Sequence, residues 1–205
     1  ATVPIWLIER AKPGASVAYT DIGMTGWVTD LFIVDLAGLT DDRMSGATGL
    51  DWPGRAAWLG ERAPDWIVLK AAGKERFEAI SSSPWLVANY ALEEGPNGTL
   101  AGRREGVEVA SDAEILASYQ LAVAREPRSR RFLWRRAIWA SAVGAEADLT
   151  AACDALLPFD DMVDLIERCR SFSSLPATRP STERIPLPAS LSRHMSESPP
   201  EPAAA

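Results

Sequence analysis

The apolar positions of the first 110 residues change period from one segment to the next. Ile5, Leu7 and Ile8 make residues 4–11 a short helix, closed by the turn Lys12-Pro13-Gly14. Residues 16–20 and 31–36 read as strands, and each empties onto an Asp and a Gly: Asp21-Ile22-Gly23, then Asp35-Leu36-Ala37-Gly38. Thr40-Asp41-Asp42 reads as a helix start, with Thr40 as N-cap and the two carboxylates set against the positive helix end. A helix over 55–62 precedes an apolar run, 64–70, bounded by Pro64 and Lys70 and read as a third strand. Residues 74–81 are helical in pattern, 85–93 have strand composition, and Gly95-Pro96-Asn97-Gly98 turns that segment back into 99–103. Strand, helix, strand, helix, strand is the signature of a βαβ layer.

The period changes at Ser111. Ser111-Asp112-Ala113-Glu114 forms a capping box ahead of Ile115, Leu116, Tyr119, Leu121 and Val123, which are spaced as on a helix. Pro127 ends that helix, a second is expected over 129–143, and a third over 149–169 with an interruption at Pro158. Beyond Phe172 lie seven of the fifteen prolines and few large apolar residues, too few to offset the entropy of ordering. The expected fold class is therefore α/β: a small, mostly parallel sheet with an antiparallel edge hairpin, then an α-helical extension and a disordered tail. The expected domains are residues 1–110, 111–172 and 173–205.

Composition narrows the chemistry. With 47% hydrophobic and 24% charged residues, the chain has a globular make-up, and a net charge of −7 argues against nucleic acid as a partner. No stretch has the length of apolar residues that a membrane span needs, and no signal peptide opens the chain. It starts at Ala1 rather than Met, so an upstream segment is expected. Cys153 and Cys169 are the only cysteines and form no metal-binding spacing, while the one histidine, His194, lies in the Pro/Ser-rich tail. Nucleophilic triads are thereby disfavoured.

Candidate binding residues remain. Asp21 and Asp35 fall at strand ends, where open parallel sheets bind ligands, with Asp41 and Asp42 nearby in sequence. Together they would suit a divalent metal or sugar hydroxyls, although turn and cap bonding is the commoner use of Asp. Gly23, Gly26 and Gly38 match no nucleotide-binding loop and are read as turn glycines with positive φ. Eight tryptophans are many for this length; Trp66 and Trp85 are read as core, Trp27 and Trp52 in Gly-rich loops as exposed stacking surfaces. Arg125, Arg128, Arg130, Arg131, Arg135 and Arg136 surround Phe132 and Trp134. Of these, Arg128, Arg130, Arg131 and Arg135 are candidates to face anionic lipid, the alternative being a solvated face balanced by acidic neighbours.

Three ordered elements carry a resemblance. They are Lys12-Pro-Gly-Ala-Ser-Val-Ala-Tyr-Thr-Asp21-Ile-Gly23-Met-Thr-Gly26, Phe32-Ile-Val-Asp35-Leu-Ala-Gly38-Leu39-Thr40-Asp41, and Ala63-Pro64-Asp65-Trp66-Ile-Val-Leu. Over roughly residues 10–70 the chain resembles the soluble extracytoplasmic domain that follows the membrane-spanning helices of bacterial polytopic glycosyltransferases. Those enzymes use lipid-phosphate-linked sugars and include arabinofuranosyl- and mannosyltransferase-like proteins. The resemblance implies a non-catalytic, periplasmic-side domain whose catalytic carboxylate lies on a membrane loop outside this chain. It implies as partners the membrane-embedded part of the same protein and a glycan or lipid-linked sugar. No cofactor is expected, a divalent metal on the aspartates being the alternative. Two alternatives from the residues themselves are a metal-dependent hydrolase built on the Asp cluster and a helical protein-interaction module over 111–170.

Overall fold

The computed structural model describes residues 2–45, 50–71 and 74–159. Its elements in chain order are α1 (Val3–Ile8), β1 (Ser16–Tyr19), α2 (Ile22–Val28), β2 (Phe32–Asp35), α3 (Trp52–Arg62), β3 (Trp66–Leu69), α4 (Lys74–Ser81), α5 (Pro84–Asn89), β4 (Tyr90–Glu94), β5 (Leu100–Arg104), α6 (Asp112–Arg125), α7 (Arg130–Ala142) and α8 (Glu146–Leu156). The fold class is α/β, as the alternation of periods implies. The helix read beyond Phe159 and the tail lie outside the described residues.

The five strands form one sheet in the order β2-β1-β3-β5-β4. Phe32 N–H donates to the Ala15 carbonyl and Leu36 N–H to that of Tyr19, both at 3.0 Å, an advance that makes β2 parallel to β1. β1 is also parallel to β3, pairing Val17 with Trp66 and Ala18 with Ile67. β5 runs antiparallel to β3 and to β4, so the hairpin forms the antiparallel edge. Every residue of the central strand β3 is buried, which explains its uninterrupted apolar run.

Two local readings are corrected. Residues 85–93 are not one strand: Ser83 takes an extended N-cap conformation, Pro84 opens α5, and the strand begins only at Tyr90. Proline's fixed φ and missing N–H suit the first helical turn, and this outweighs the strand composition that follows. Trp85 still packs inward, edge-on to Tyr90 at 5.9 Å and against Gly60, where a Cβ would come within 2.9 Å of the indole. The second correction is α2, whose Gly23 and Gly26 lie within a helix and not in positive-φ turns. Two glycines in seven residues give poor intrinsic helicity, so packing supplies what propensity lacks, through the buried Thr25 and Val28.

The described residues divide into two compact units. The first comprises residues 2–16, 21–33 and 108–159, and its core gathers Ile5, Ile8, Val28, Ile115, Tyr119, Phe132 and Trp139. The expected capping box is present: Ser111 Oγ accepts from Glu114 N–H, while the Glu114 carboxylate accepts from Ser111 N–H at 2.7 Å. Deeper in this unit, Glu9 accepts from the Tyr119 hydroxyl at 2.8 Å and from Arg135 at 2.9 Å. The second unit comprises residues 17–20, 34–45, 50–71 and 74–107, with Leu36, Met44, Leu59, Ile67, Ile80, Leu86 and Tyr90 in its core.

In the second unit the Tyr90 hydroxyl donates to the Pro64 carbonyl at 2.6 Å, and Arg104 pairs with Asp65 at 2.6 Å. Burial pushes the Tyr90 hydroxyl up to about 12, with Arg104 pulling it down and Asp65 pushing it up. An unfolded tyrosine titrates near about pH 10, so the unfolded chain loses this proton first and stability falls as pH rises through about 10 to 12. Burial and Glu9 raise Tyr119 as well, which adds to the same loss. Tyr90→Phe is expected to lower the urea midpoint at neutral pH and to flatten its decline between about pH 10 and 12. An alkaline slope identical to the parent's would show that this hydroxyl titrates alike in the folded and unfolded states.

Candidate functional site

The ligand-binding end of a parallel sheet is the carboxyl end of its strands, and Asp35 closes β2 there. Its side chain is 1% exposed and fully engaged. Oδ1 accepts from Ala37 N–H at 2.8 Å; Oδ2 accepts from Leu39 N–H at 2.6 Å, Thr40 N–H at 2.7 Å and the Thr40 hydroxyl at 3.2 Å. A buried carboxylate with four donors compensates its lost hydration by organising the loop around itself. Gly38 makes that loop possible with φ of 73°, and a Cβ there would lie 2.6 Å from the Met44 carbonyl carbon and closer still to Ser45. Gly38 is thus the turn glycine its sequence context implies.

Thr40-Asp41-Asp42 does not begin a helix. Thr40 donates to Asp35 instead of capping, and Asp41 holds a single turn through Arg43 N–H to its Oδ1 at 3.0 Å and Met44 N–H to its carbonyl at 3.0 Å. Asp42 is exposed and its carbonyl accepts from the Ser45 hydroxyl. Competition from the Asp35 carboxylate for the Thr40 groups decides against the helix. The four aspartates are divided between the units, with exposed Asp21 at the N-cap position of α2 in the first. Among the described residues no three His, Cys, Asp or Glu side chains gather as a metal site.

Beside the Asp35 loop stands Trp52, the first residue of α3, half-buried against the core of the second unit. It lies on a capped helix and not in a loop: Asp51 Oδ1 accepts from Gly54 N–H at 2.8 Å. Two guanidinium groups stack on its indole, Arg55 at 4.6 Å and Arg76 at 5.9 Å from the ring centre. Both also donate to loop carbonyls. Arg55 reaches Leu50 at 2.8 Å and Met44 at 3.1 Å, and Arg76 reaches Leu36 at 3.4 Å. Lys70, just after β3, lies 5.5 Å from the Tyr19 ring centre, and the buried Thr20 hydroxyl, just after β1, has no hydrogen-bond partner among the described residues. The aromatic and cationic character of this edge was only half legible: Trp52 stands out by composition, whereas Arg55, Lys70 and Arg76 are brought to it by the fold.

The first unit holds the other candidates. Trp27 is 55% exposed on α2, its indole N–H donating to Glu126 at 3.0 Å. Arg125 donates to the carbonyls of Trp27 and Thr29, both at 2.8 Å. Arg135 turns its guanidinium inward to Glu9 and not to the surface, and Arg136 pairs with Asp148. Acidic residues remote in sequence thus take up part of the arginine cluster. Arg128, Arg130 and Arg131 are exposed, with Arg130 over the Phe159 ring at 5.0 Å.

Charge at the start of α7 runs against the helix. Its Ser129 N-cap makes no side-chain bond and its first turn has no acidic residue, so two arginines face the positive helix end. Arg131→Glu is therefore expected to raise stability by about 0.3–1 kcal/mol, read from urea unfolding at low salt, and the gain should shrink as salt is added. Asp35→Asn places an amide where N–H donors converge. It should cost about 1–3 kcal/mol in the same measurement, and a neutral result would deny the carboxylate its role in the loop.

A family model described as a domain of unknown function, DUF8728, matches residues 2–139. No curated protein and no solved structure matches the chain. The matched stretch runs from α1 into α7 and takes in the Asp35 loop, Trp52 and the arginine-rich start of α7. The chain therefore belongs to this family of domains, DUF8728.

Proposed function

We propose that the chain is a non-catalytic domain of a larger membrane-bound glycosyltransferase-like protein, binding glycan or acceptor at the outer face of the membrane. The observation that carries this reading is the state of Asp35. It is the one buried carboxylate among the described residues, it lies at the ligand end of the parallel strands, and all its hydrogen-bonding capacity goes to its own loop. A carboxylate so committed offers neither a nucleophile nor a free base, and the accessible chemistry beside it is Trp52 with its flanking guanidinium groups. An aromatic face with cationic neighbours suits a sugar ring and its hydroxyl or phosphate oxygens. The resemblance over residues 10–70 points the same way.

Isothermal titration with short arabinofuranosyl and mannosyl oligosaccharides tests the reading. Saturable binding that weakens at least about tenfold in Trp52→Ala, with no glycan cleaved, is the expected result. Absence of heat with every oligosaccharide, or equal affinity in Trp52→Ala, would remove it. Cleavage that depends on an added divalent cation would replace it with the hydrolase built on the aspartates.

A further inference from the structure

The chain has two asparagines, Asn89 and Asn97, and the fold treats them in opposite ways. An asparagine loses its side-chain amide when the backbone nitrogen of the next residue attacks the side-chain carbonyl carbon. The step needs an unbonded side chain, an uncommitted backbone N–H after it, and room for the two to meet. Asn89 meets none of these conditions. Its Nδ2 donates to the Trp85 carbonyl at 2.7 Å, the Tyr90 N–H that would attack donates to the Leu86 carbonyl, and Tyr90 itself is packed in the core of the second unit.

Asn97 stands exposed at the tip of the hairpin between β4 and β5, at φ 58° and ψ 34°, and Gly98 follows it at φ 70°. Two successive residues at positive φ are what an Asn-Gly pair accommodates, so the requirement that shapes the turn also sets a reactive pair at its tip. Bonds close the hairpin on either side of Asn97. Gly95 N–H donates to the Thr99 carbonyl at 2.7 Å, and the Thr99 N–H and hydroxyl donate to the Pro96 carbonyl at 3.3 Å and 2.9 Å. The Asn97 side chain bonds to none of the described residues, and a Cβ built on Gly98 would meet nothing within 4 Å. At ψ 34° the Gly98 nitrogen lies nearly opposite the Asn97 side chain about the Cα–C bond, so the resting turn does not react. Rotation about that bond brings the two together. It disturbs the bonds to the Pro96 carbonyl but no core packing, because the tip has none.

We propose that Asn97 is a site of spontaneous deamidation, and that the fold directs the reaction to it and away from Asn89. The Gly98 nitrogen bonds to Asn97 Cγ and gives up its proton, the Cγ–Nδ2 bond breaks, and ammonia leaves, which closes a five-membered succinimide ring. Water then opens the ring at one carbonyl or the other and gives aspartate or isoaspartate. Only water is consumed. Aspartate also tolerates left-handed backbone, so that product keeps the turn and adds a negative charge three residues after Glu94. Isoaspartate instead adds a methylene to the backbone of the turn on which the register of β4 against β5 depends. The antiparallel edge of the sheet is what this product loosens. Glycan binding has no part in the proposal.

The test is incubation of the purified, folded chain in mildly alkaline buffer, followed by trypsin and fragmentation mass spectrometry. Cleavage after Arg76 and Arg103 releases one peptide that holds both asparagines, so each serves as the other's reference. Conversion at Asn97 is expected to run at least about tenfold faster than at Asn89 and to give both aspartate and isoaspartate. Asn97→Gly, which suits the positive φ, should leave the peptide unmodified over the same time. Aged parent protein should unfold at lower urea than fresh protein, a shift that aged Asn97→Gly does not show. Equal conversion at the two asparagines would overturn the proposal. So would an Asn97 that stays intact in the folded chain while it converts in urea, since the turn would then lock the residue instead of exposing it.

Discussion

A single buried carboxylate organises the second unit. Removing an anion from water costs several kcal/mol unless donors replace its hydration, and Asp35 meets that demand with the loop that follows it. The loop's curvature then depends on Gly38, because no other residue type fits against Ser45 with that φ. The carbonyls that the loop and the chain after it present are in turn where Arg55 and Arg76 anchor, and these two hold Trp52 between cations. A sequence that looks like an active-site run is thus the support of the loop on which the Trp52 cluster rests.

The first unit solves an opposite electrostatic problem. Arginines are dense between α6 and α7, and the fold satisfies some of them internally. Arg125 reaches backbone carbonyls, and Arg135 and Arg136 reach Glu9 and Asp148. What stays exposed is Arg128, Arg130 and Arg131 around the start of α7.

Much of the architecture was legible because its signals are local and strong. The buried run of β3, the capping box at Ser111 and Glu114, the Gly95–Gly98 turn and Pro127 each act within a few residues. The misread elements were decided at longer range. Nothing local announces α2, since Gly23 and Gly26 oppose a helix that tertiary contacts sustain, the burial of Thr25 and Val28 among them. Residues 85–93 carry apolar content that fits either state, and the proline ahead of them settles the first half. Thr40 looked like a cap because caps are its common use, whereas here the carboxylate five residues earlier claims both its N–H and its hydroxyl. For the candidate site, Trp52 and Asp35 could be singled out by residue type, but Arg76 comes from another helix and no spacing rule joins it to them.

The bond between Trp27 and Glu126 has a consequence for α2 itself. A seven-residue helix with two glycines has almost no tendency to persist alone, so its order is borrowed from α6 through that indole and through the Arg125 bonds to its final carbonyls. Anything that competed for Glu126 or Arg125 would therefore act on the backbone of α2 as well as on its side chains. The exposed tryptophan is also a latch, and whatever grips it gains a hold on whether the helix exists.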